Sequence, residues 1–285
     1  MSNTKLFVRL KTLRKTIQNK RLYLKFIILR AFSDKEFHRF RCNICGKFST
    51  SPLSEIKGRE SPSCSHCGST LRFRSIAAIL SNELFGKVVP ISDFPECESI
   101  AGIGMSDSDI YAVPLSKNFS YKNTYYHREP RLDITSLAPE MHESAHFVIS
   151  SEVFEHVPRP VDIAFENLFK LLKTGGICIF SVPYNKDGTT KEHFPELFEY
   201  SIIQKNGKKV LVNKTKDGVM QLFKNLRFHG GRGATLEMRT FSESSLTENI
   251  TASGFNKIKF HNEDIPEYGI FNDDQNQLIL SFRKI

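Results

Sequence analysis

Four cysteines have the spacing of a metal site. Cys42-x-x-Cys45 and Cys64-x-x-Cys67 stand eighteen residues apart, and each pair is followed directly by glycine, Gly46 and Gly68. Two knuckles of this kind bring four thiolates to one tetrahedral zinc ion, as in a zinc ribbon. Four sulfurs leave no coordination position open, so the ion expected here is structural and not catalytic. The alternative, a pair of disulfides, needs an oxidising compartment, to which nothing in the chain points. His66, inside the second knuckle, is expected to be a bystander or a donor to a cysteine sulfur. Arg72, Phe73 and Arg74 follow and lead into a helix expected over Ile76 to Phe85.

A second group of side chains with chemical capacity is Ser150-Ser151-Glu152 with Glu155-His156. The element that must position it is Val148 to Tyr184. This stretch opens and closes on apolar runs, with Val161, Ala164, Phe165, Leu168, Leu171 and Leu172 between them at helical spacing. Lys173-Thr174-Gly175-Gly176 supplies a helix stop. Strand, helix, strand in so short a stretch is a βαβ unit, which predicts parallel strands in an α/β fold. The polar group then sits at the carboxyl end of the first strand, where open α/β sheets bind ligands.

Around this unit the chain reads in order. Glu98 to Asp107 (ESIAGIGMSD) suits an earlier strand with a glycine segment, and Tyr125 and Tyr126 suit a second strand. Beyond Tyr184 comes a long insertion, residues 185–239. It contains a hairpin cue at Asn206-Gly207 between Ile202–Lys205 and Val210–Val212, then His193, and His229 beside Gly230, Gly231 and Gly233. Ser242 is placed to cap a helix over Glu243 to Ala252 with Gly254 as its stop, and Phe255–His261 and Gln277–Phe282 read as closing strands.

Charge is concentrated at one end. Residues 1–40 hold eleven Lys or Arg against Asp34 and Glu36, which accounts for the whole formal charge of +9; the remainder balances. This arm reads as a basic amphipathic helix or two, fitted to an anionic membrane surface, to RNA or to the protein's own surface. No apolar run approaches the ~20 residues of a membrane span, and no signal-peptide pattern is seen. The expected setting is cytoplasmic, peripheral at the inner face of the membrane if the arm binds lipid.

SSEVFEHV, a helix, LLKTGG and a strand ending SVPY together resemble class I S-adenosylmethionine (SAM)-dependent methyltransferases, in the branch typified by "VLEHV…LLKPGG…VP" (methyltransferase type 11-like). The resemblance implies a Rossmann-like seven-stranded sheet with helices on both faces, carrying here an N-terminal zinc ribbon and a lid insertion. The domains would be a helical arm over 1–40, the ribbon over 41–75 and the methyltransferase domain over 76–285, with 185–239 as substrate lid. By the same resemblance, Gly102 and Gly104 match the family's glycine motif, whose acidic position falls on Ile100 and whose third glycine falls on Ser106. Glu98 or Asp107 would compensate for the missing acid. Glu129 would hold the ribose hydroxyls, Asp133 in LDITSL the adenine amino group, and Ser151 and Glu152 would border the cofactor. For a hydroxyl acceptor a general base is needed, and His229 is favoured, with His193 as a further candidate and His156 shaping the site or capping the following helix.

The zinc ribbon, this core and the HGG…TLEMR segment are similar to methyltransferases associated with bacterial surface polysaccharides. That implies a small-molecule or glycan acceptor. The alternatives are a ribosomal or transfer RNA methyltransferase and a non-catalytic zinc-ribbon scaffold with a decayed cofactor site.

Overall fold

The computed structural model describes residues 36–229, 235–272 and 278–285. The helical arm expected over 1–40 lies outside them except for its last residues, which form a strand. In chain order the elements begin with a hairpin, β1 (Phe37–Arg41) and β2 (Phe48–Pro52), then α1 (Leu53–Lys57) and α2 (Leu71–Phe85). β3 (Cys97–Met105), α3 (Asp109–Asn118), β4 (Phe119–Thr124), β5 (Ala145–Ser151), α4 (Asp162–Leu171) and β6 (Leu172–Ser181) make the α/β portion. The insertion supplies β7 (Tyr184–Asn185), β8 (Lys191–Glu192), β9 (Glu199–Lys205), β10 (Lys208–Lys214), β11 (Met220–Phe223), β12 (Phe228–His229) and β13 (Thr235–Leu236). β14 (Arg239–Ser242), α5 (Glu243–Ala252), β15 (Asn256–His261) and β16 (Ile279–Arg283) close the chain.

The chain divides into two compact units. Among the described residues, one comprises 36–102, 107–122, 260–272 and 278–279; the other comprises 103–106, 123–229, 235–259 and 280–285. In the first unit, α2 begins five residues earlier than the apolar pattern suggested, because Thr70 caps it by accepting from the Phe73 amide at 3.3 Å. Leu71 and Ala78 of this helix pack with Ile270, and Tyr268 donates its hydroxyl to the Val88 carbonyl at 3.1 Å.

The main sheet has the strand order β15-β16-β6-β5-β3-β4. β5 and β6 run parallel and β16 antiparallel to β6, so the sheet is mixed. Among the described residues six strands pair, where seven were expected. Residues 125–144, which would have to supply the missing one, are used by a turn at Glu129-Pro130, an Asp133 turn and a 3-10 turn over Pro139–Met141. Tyr125 and Tyr126 fall past the end of β4.

The β5-α4-β6 unit forms as the periodicity predicts, with Ala164, Phe165, Leu168 and Leu171 fully buried. Instead of ending the helix, Lys173-Thr174-Gly175-Gly176 bulges out of β6: Ala145 pairs with Leu172 but Phe147 with Ile177. Phenylalanines fill the second unit. Phe154, Phe165 and Phe180 stack with centroids 4.7 and 5.0 Å from Phe154, and Phe180 meets Phe282 at 5.7 Å. Each such ring contributes about 1.5–3 kcal/mol by burial. The insertion has its own small core of Phe194, Leu211, Leu236 and Met238. Asn206 and Gly207 take φ of 50° and 73°, the conformation a two-residue hairpin turn requires. Ser242 caps α5 as expected, accepting from the Ser245 amide at 3.2 Å.

Asp107 is fully committed within the first unit. It is buried and accepts from the Tyr111 hydroxyl at 2.7 Å and from the Tyr121 hydroxyl. Burial pushes its carboxyl up to about 7, against the pull of the two tyrosines. The folded state therefore holds a proton that the unfolded chain releases near pH 4. The resulting stability is fully present below about pH 4 and is lost as pH rises through the folded value, about 7. Asp107→Asn should flatten the pH dependence of unfolding over that window, as read by urea denaturation; an unchanged slope would contradict this assignment.

Candidate functional site

The site begins at the carboxyl end of β5. The chain leaves the strand at Glu152 with φ of 58° and enters a 3-10 turn, Phe154–His156. Phe154 drops into the phenylalanine core and has no exposed surface, which fixes the turn from below. Glu155, next to it, is also fully buried, and His156 is partly so.

The insertion holds this turn from above. Met238 donates its amide to the Glu155 carbonyl at 2.8 Å, and His156 Nδ1 bonds the Leu236 carbonyl at 2.9 Å. Arg239, with no exposed side-chain surface, donates through Nη1 to the carbonyls of Phe154 at 3.1 Å and Val157 at 2.5 Å. Its Nε pairs with Glu192 at 2.7 Å, fastening β14 to β8. The segment read as a lid is thus stitched at its return end to the β5–α4 turn.

That stitching collects all three candidate histidines. Glu237, 3% exposed in its side chain, receives His193 Nε2 at 2.6 Å and His229 Nε2 at 2.7 Å. His229 Nδ1 then lies 4.0 Å from Glu155 Oε1, and His156 Nε2 lies 3.6 Å from the same oxygen. The rings of His156 and His229 meet edge to face at 5.5 Å. His156 is held below the ordinary imidazole value, first by burial and also by His229, against the Leu236 carbonyl, Glu237 and Glu152. It is neutral at pH 7, with its proton on Nδ1 toward Leu236. His156 therefore does not cap α4, whose N-terminal residue Val161 makes no side-chain cap.

The expected cofactor residues are dispersed along the strand ends. Gly102 and Gly104 are buried residues within β3 itself, so the turn starts only at Ser106, whose φ is 61°. The Ser106 amide donates to the Thr124 carbonyl at 2.7 Å. Ser151 and Glu152 both bond the Ser181 hydroxyl at 2.9 Å. Asp133 Oδ1 accepts from the Thr135 amide at 3.0 Å and hydroxyl at 2.7 Å, and Asp133 helps line a cavity of about 280 Å³ with Arg131, Ser136 and Met141. Glu129 is exposed and accepts from the Arg131 amide at 2.9 Å, a turn contact. Asp107, bound by two tyrosines, does not compensate for Ile100. A non-glycine residue in the left-handed region is uncommon, and such strain gathers where ligands bind. Ser106 and Glu152 are two of these, at the ends of the neighbouring strands β3 and β5, the edge where open α/β sheets take a ligand.

In the first unit the four cysteines converge with no disulfide. Cys42 and Cys67 sulfurs are 3.6 Å apart, Cys45 and Cys64 3.8 Å. Sulfurs about 2.3 Å from a tetrahedral zinc lie about 3.8 Å apart, so the set fits that ion. Gly46 and Gly68 take φ of 72° and 73°, letting their amides turn back to the carbonyls of Cys42 and Cys64 at 2.8 and 2.9 Å. The Cys42 thiol is held well below its ordinary value, the Cys45 thiol being the first cause. Arg74, fully buried, binds the Ser69 carbonyl and the Ser63 hydroxyl at 2.9 Å behind the cluster. His66 bonds the Phe48 carbonyl at 3.0 Å and not a sulfur.

Residues 97–180, from β3 through β6, match a family described as a methyltransferase domain. Over these residues the chain is similar to a methyltransferase domain. It is an enzyme, on an α/β fold with a central mixed sheet. Among curated proteins no sequence matches it. Solved structures similar to it include a 1,6-didemethyltoxoflavin N1-methyltransferase from Burkholderia thailandensis, with 14% identity over 73% of this chain and 76% of that one and a TM-score of 0.41. A SAM-dependent methyltransferase from Clostridium acetobutylicum shares 11% over 64% and 82%, with a TM-score of 0.37. A sugar N-methyltransferase from Streptoalloteichus shares 8% over 65% and 81%, with a TM-score of 0.38.

Glu237 and Arg239 were not legible as site residues. In Leu236-Glu237-Met238-Arg239 the alternation predicts that one set faces water, yet all four are buried. Removing Arg239 leaves Glu192 and two carbonyls of the turn without their donor. Arg239→Met is expected to destabilise the protein by about 3 kcal/mol or more in urea unfolding; a loss under about 1 kcal/mol would show that the turn does not depend on it.

Proposed function

We propose that this enzyme transfers the SAM methyl group to a hydroxyl of a sugar or glycan intermediate in cell-surface polysaccharide synthesis. The observation that carries the hydroxyl reading is the imidazole pair on one buried carboxylate: Glu237 orients His193 and His229, and leaves His229 Nδ1 facing the mouth of the β5–α4 turn. An oriented imidazole is the group that an acceptor hydroxyl needs and that an amine acceptor, already nucleophilic when neutral, needs less. SAM supplies a methyl group on a sulfonium. Its methionine and ribose portions would lie along Gly102, Gly104 and Ser106, with Ser151 and Glu152 at the neighbouring strand end. Asp133, one oxygen committed to its own turn, would offer the other to the adenine amino group. Glu129, tied to its turn, has the weaker claim on the ribose.

The first unit, in the same reading, is a zinc ribbon in which Cys42, Cys45, Cys64 and Cys67 hold one structural zinc ion, and Arg74 balances the negative charge of the thiolates. The basic residues of 1–40 would bring the enzyme to anionic lipid, where lipid-linked acceptors reside.

Two measurements test these assignments. Calorimetry should find saturable SAM binding, weakened about tenfold or more by Asp133→Ala, with methyl transfer to nucleotide sugars or lipid-linked glycans lost in His229→Ala. Absence of SAM binding at millimolar concentration would favour a scaffold, and transfer to ribosomal RNA alone would favour the RNA reading. Elemental analysis should give one zinc per chain, and stripping it with a strong chelator should unfold the first unit, as zinc binding and folding are linked in such modules. Zinc content unchanged in Cys45→Ser would remove the ribbon assignment.

A further inference from the structure

We propose that Glu155, His156 and His229 form a second metal site, one for a first-row divalent cation with open positions for oxygen ligands. Three acceptor atoms converge there. Glu155 Oε1 is 3.6 Å from His156 Nε2 and 4.0 Å from His229 Nδ1, and the three ligand atoms all lie within 4.8 Å of one another. These two separations are longer than a hydrogen bond, so a proton does not bridge them. They are within reach of a single ion: two ligands each about 2.1 Å from it can stand up to about 4.2 Å apart.

The tautomers point the same way. His156 Nδ1 is occupied by the Leu236 carbonyl, which places its proton there and its lone pair on Nε2. His229 Nε2 is occupied by Glu237, which places its lone pair on Nδ1. Both lone pairs are therefore on the nitrogens nearest Glu155. A carbonyl behind one imidazole and a carboxylate behind the other is the outer arrangement that metal-binding histidines use, fixing the ring and raising its basicity. Three fastenings hold the donors: the buried Phe154, the Met238 amide on the Glu155 carbonyl, and Arg239 on the turn.

Two imidazoles and one carboxylate suit manganese, iron, cobalt or zinc better than magnesium or calcium, which take oxygen. Three protein ligands leave positions for water or for adjacent hydroxyls of a sugar. This deepens the reading of a hydroxyl acceptor and rests on it only for that last step: His229 Nδ1 would act on the hydroxyl through the cation it helps to hold, in place of taking its proton directly, and loss of transfer in His229→Ala is expected either way. The cation site itself stands without it.

Manganese is the probe of choice, because it binds nitrogen and oxygen donors yet competes poorly for the thiolates. Full-length protein loaded with zinc is titrated with Mn2+ alone, and free Mn2+ is read by its paramagnetic resonance signal. One saturating site is expected. It should weaken at least tenfold in His156→Ala and in His229→Ala. Glu237→Gln, which touches no ion, should weaken it about 10- to 100-fold. Zinc content and circular dichroism check that the variants fold. In the unaltered protein, bound Mn2+ should show electron–nuclear coupling to imidazole nitrogen, a readout that needs no variant. No saturable binding at millimolar Mn2+, equal binding in the histidine variants, or no nitrogen coupling would each overturn the site. Because SAM binding is measured separately, Mn2+ binding without SAM binding would overturn the methyl-transfer reading and leave the cation site intact.

Discussion

The buried guanidinium of Arg239 is the constraint on which the second unit's site depends. A charge with no exposed surface persists only where it is paired, and Arg239 finds Glu192 through Nε and the carbonyls of Phe154 and Val157 through Nη1. Those carbonyls belong to the turn between β5 and α4. One side chain thus ties the end of the insertion to the loop that follows the central strand. Without it, the turn that carries Glu155 and His156 would keep Phe154 beneath and its bonds to the Met238 amide and the Leu236 carbonyl above, but lose its tie to Glu192 of β8.

With the turn fixed, Glu237 sets the chemistry. A carboxylate this deeply buried needs hydrogen-bond donors, and it takes them from two histidines at 2.6 and 2.7 Å. The consequence is directional: His193 and His229 are both committed through Nε2, which fixes where each Nδ1 points. Catalytic and ligand histidines need that arrangement, because a ring that can turn over presents either nitrogen. The first unit is built on the same principle. There Arg74 is wholly buried behind four cysteine sulfurs and meets Ser63, Ser69 and the Gly269 carbonyl. Gly269, at φ 66°, must be glycine for a further reason: a Cβ would stand 2.7 Å from the Phe40 ring that Arg74 lies over.

The strand ends carry a different kind of constraint. Ser106 and Glu152 stand in the left-handed region, which costs about 1–3 kcal/mol for a residue with a side chain and persists only where the surroundings impose it. The neighbouring acid, Asp107, is already taken by Tyr111 and Tyr121. The missing carboxylate at Ile100 is therefore not replaced by Asp107.

Much of this was legible in local patterns. The cysteine spacing, the βαβ periodicity from Val148 to Tyr184, the Asn206-Gly207 turn and the Ser242 cap are each decided within a few residues, so sequence alone determined them. The sheet count was not, because whether residues 125–144 form a strand depends on what neighbours them and not on their own propensity. The gathering of His156, His193 and His229 was beyond reach as well: the sequence offered three separate candidates at two distant places. What joined them is burial on both faces of Leu236–Arg239, which turned an apparent alternating strand into a buried clasp. Local chemistry chose the donors, and only long-range packing decided which nitrogen of each ring would be held by the clasp.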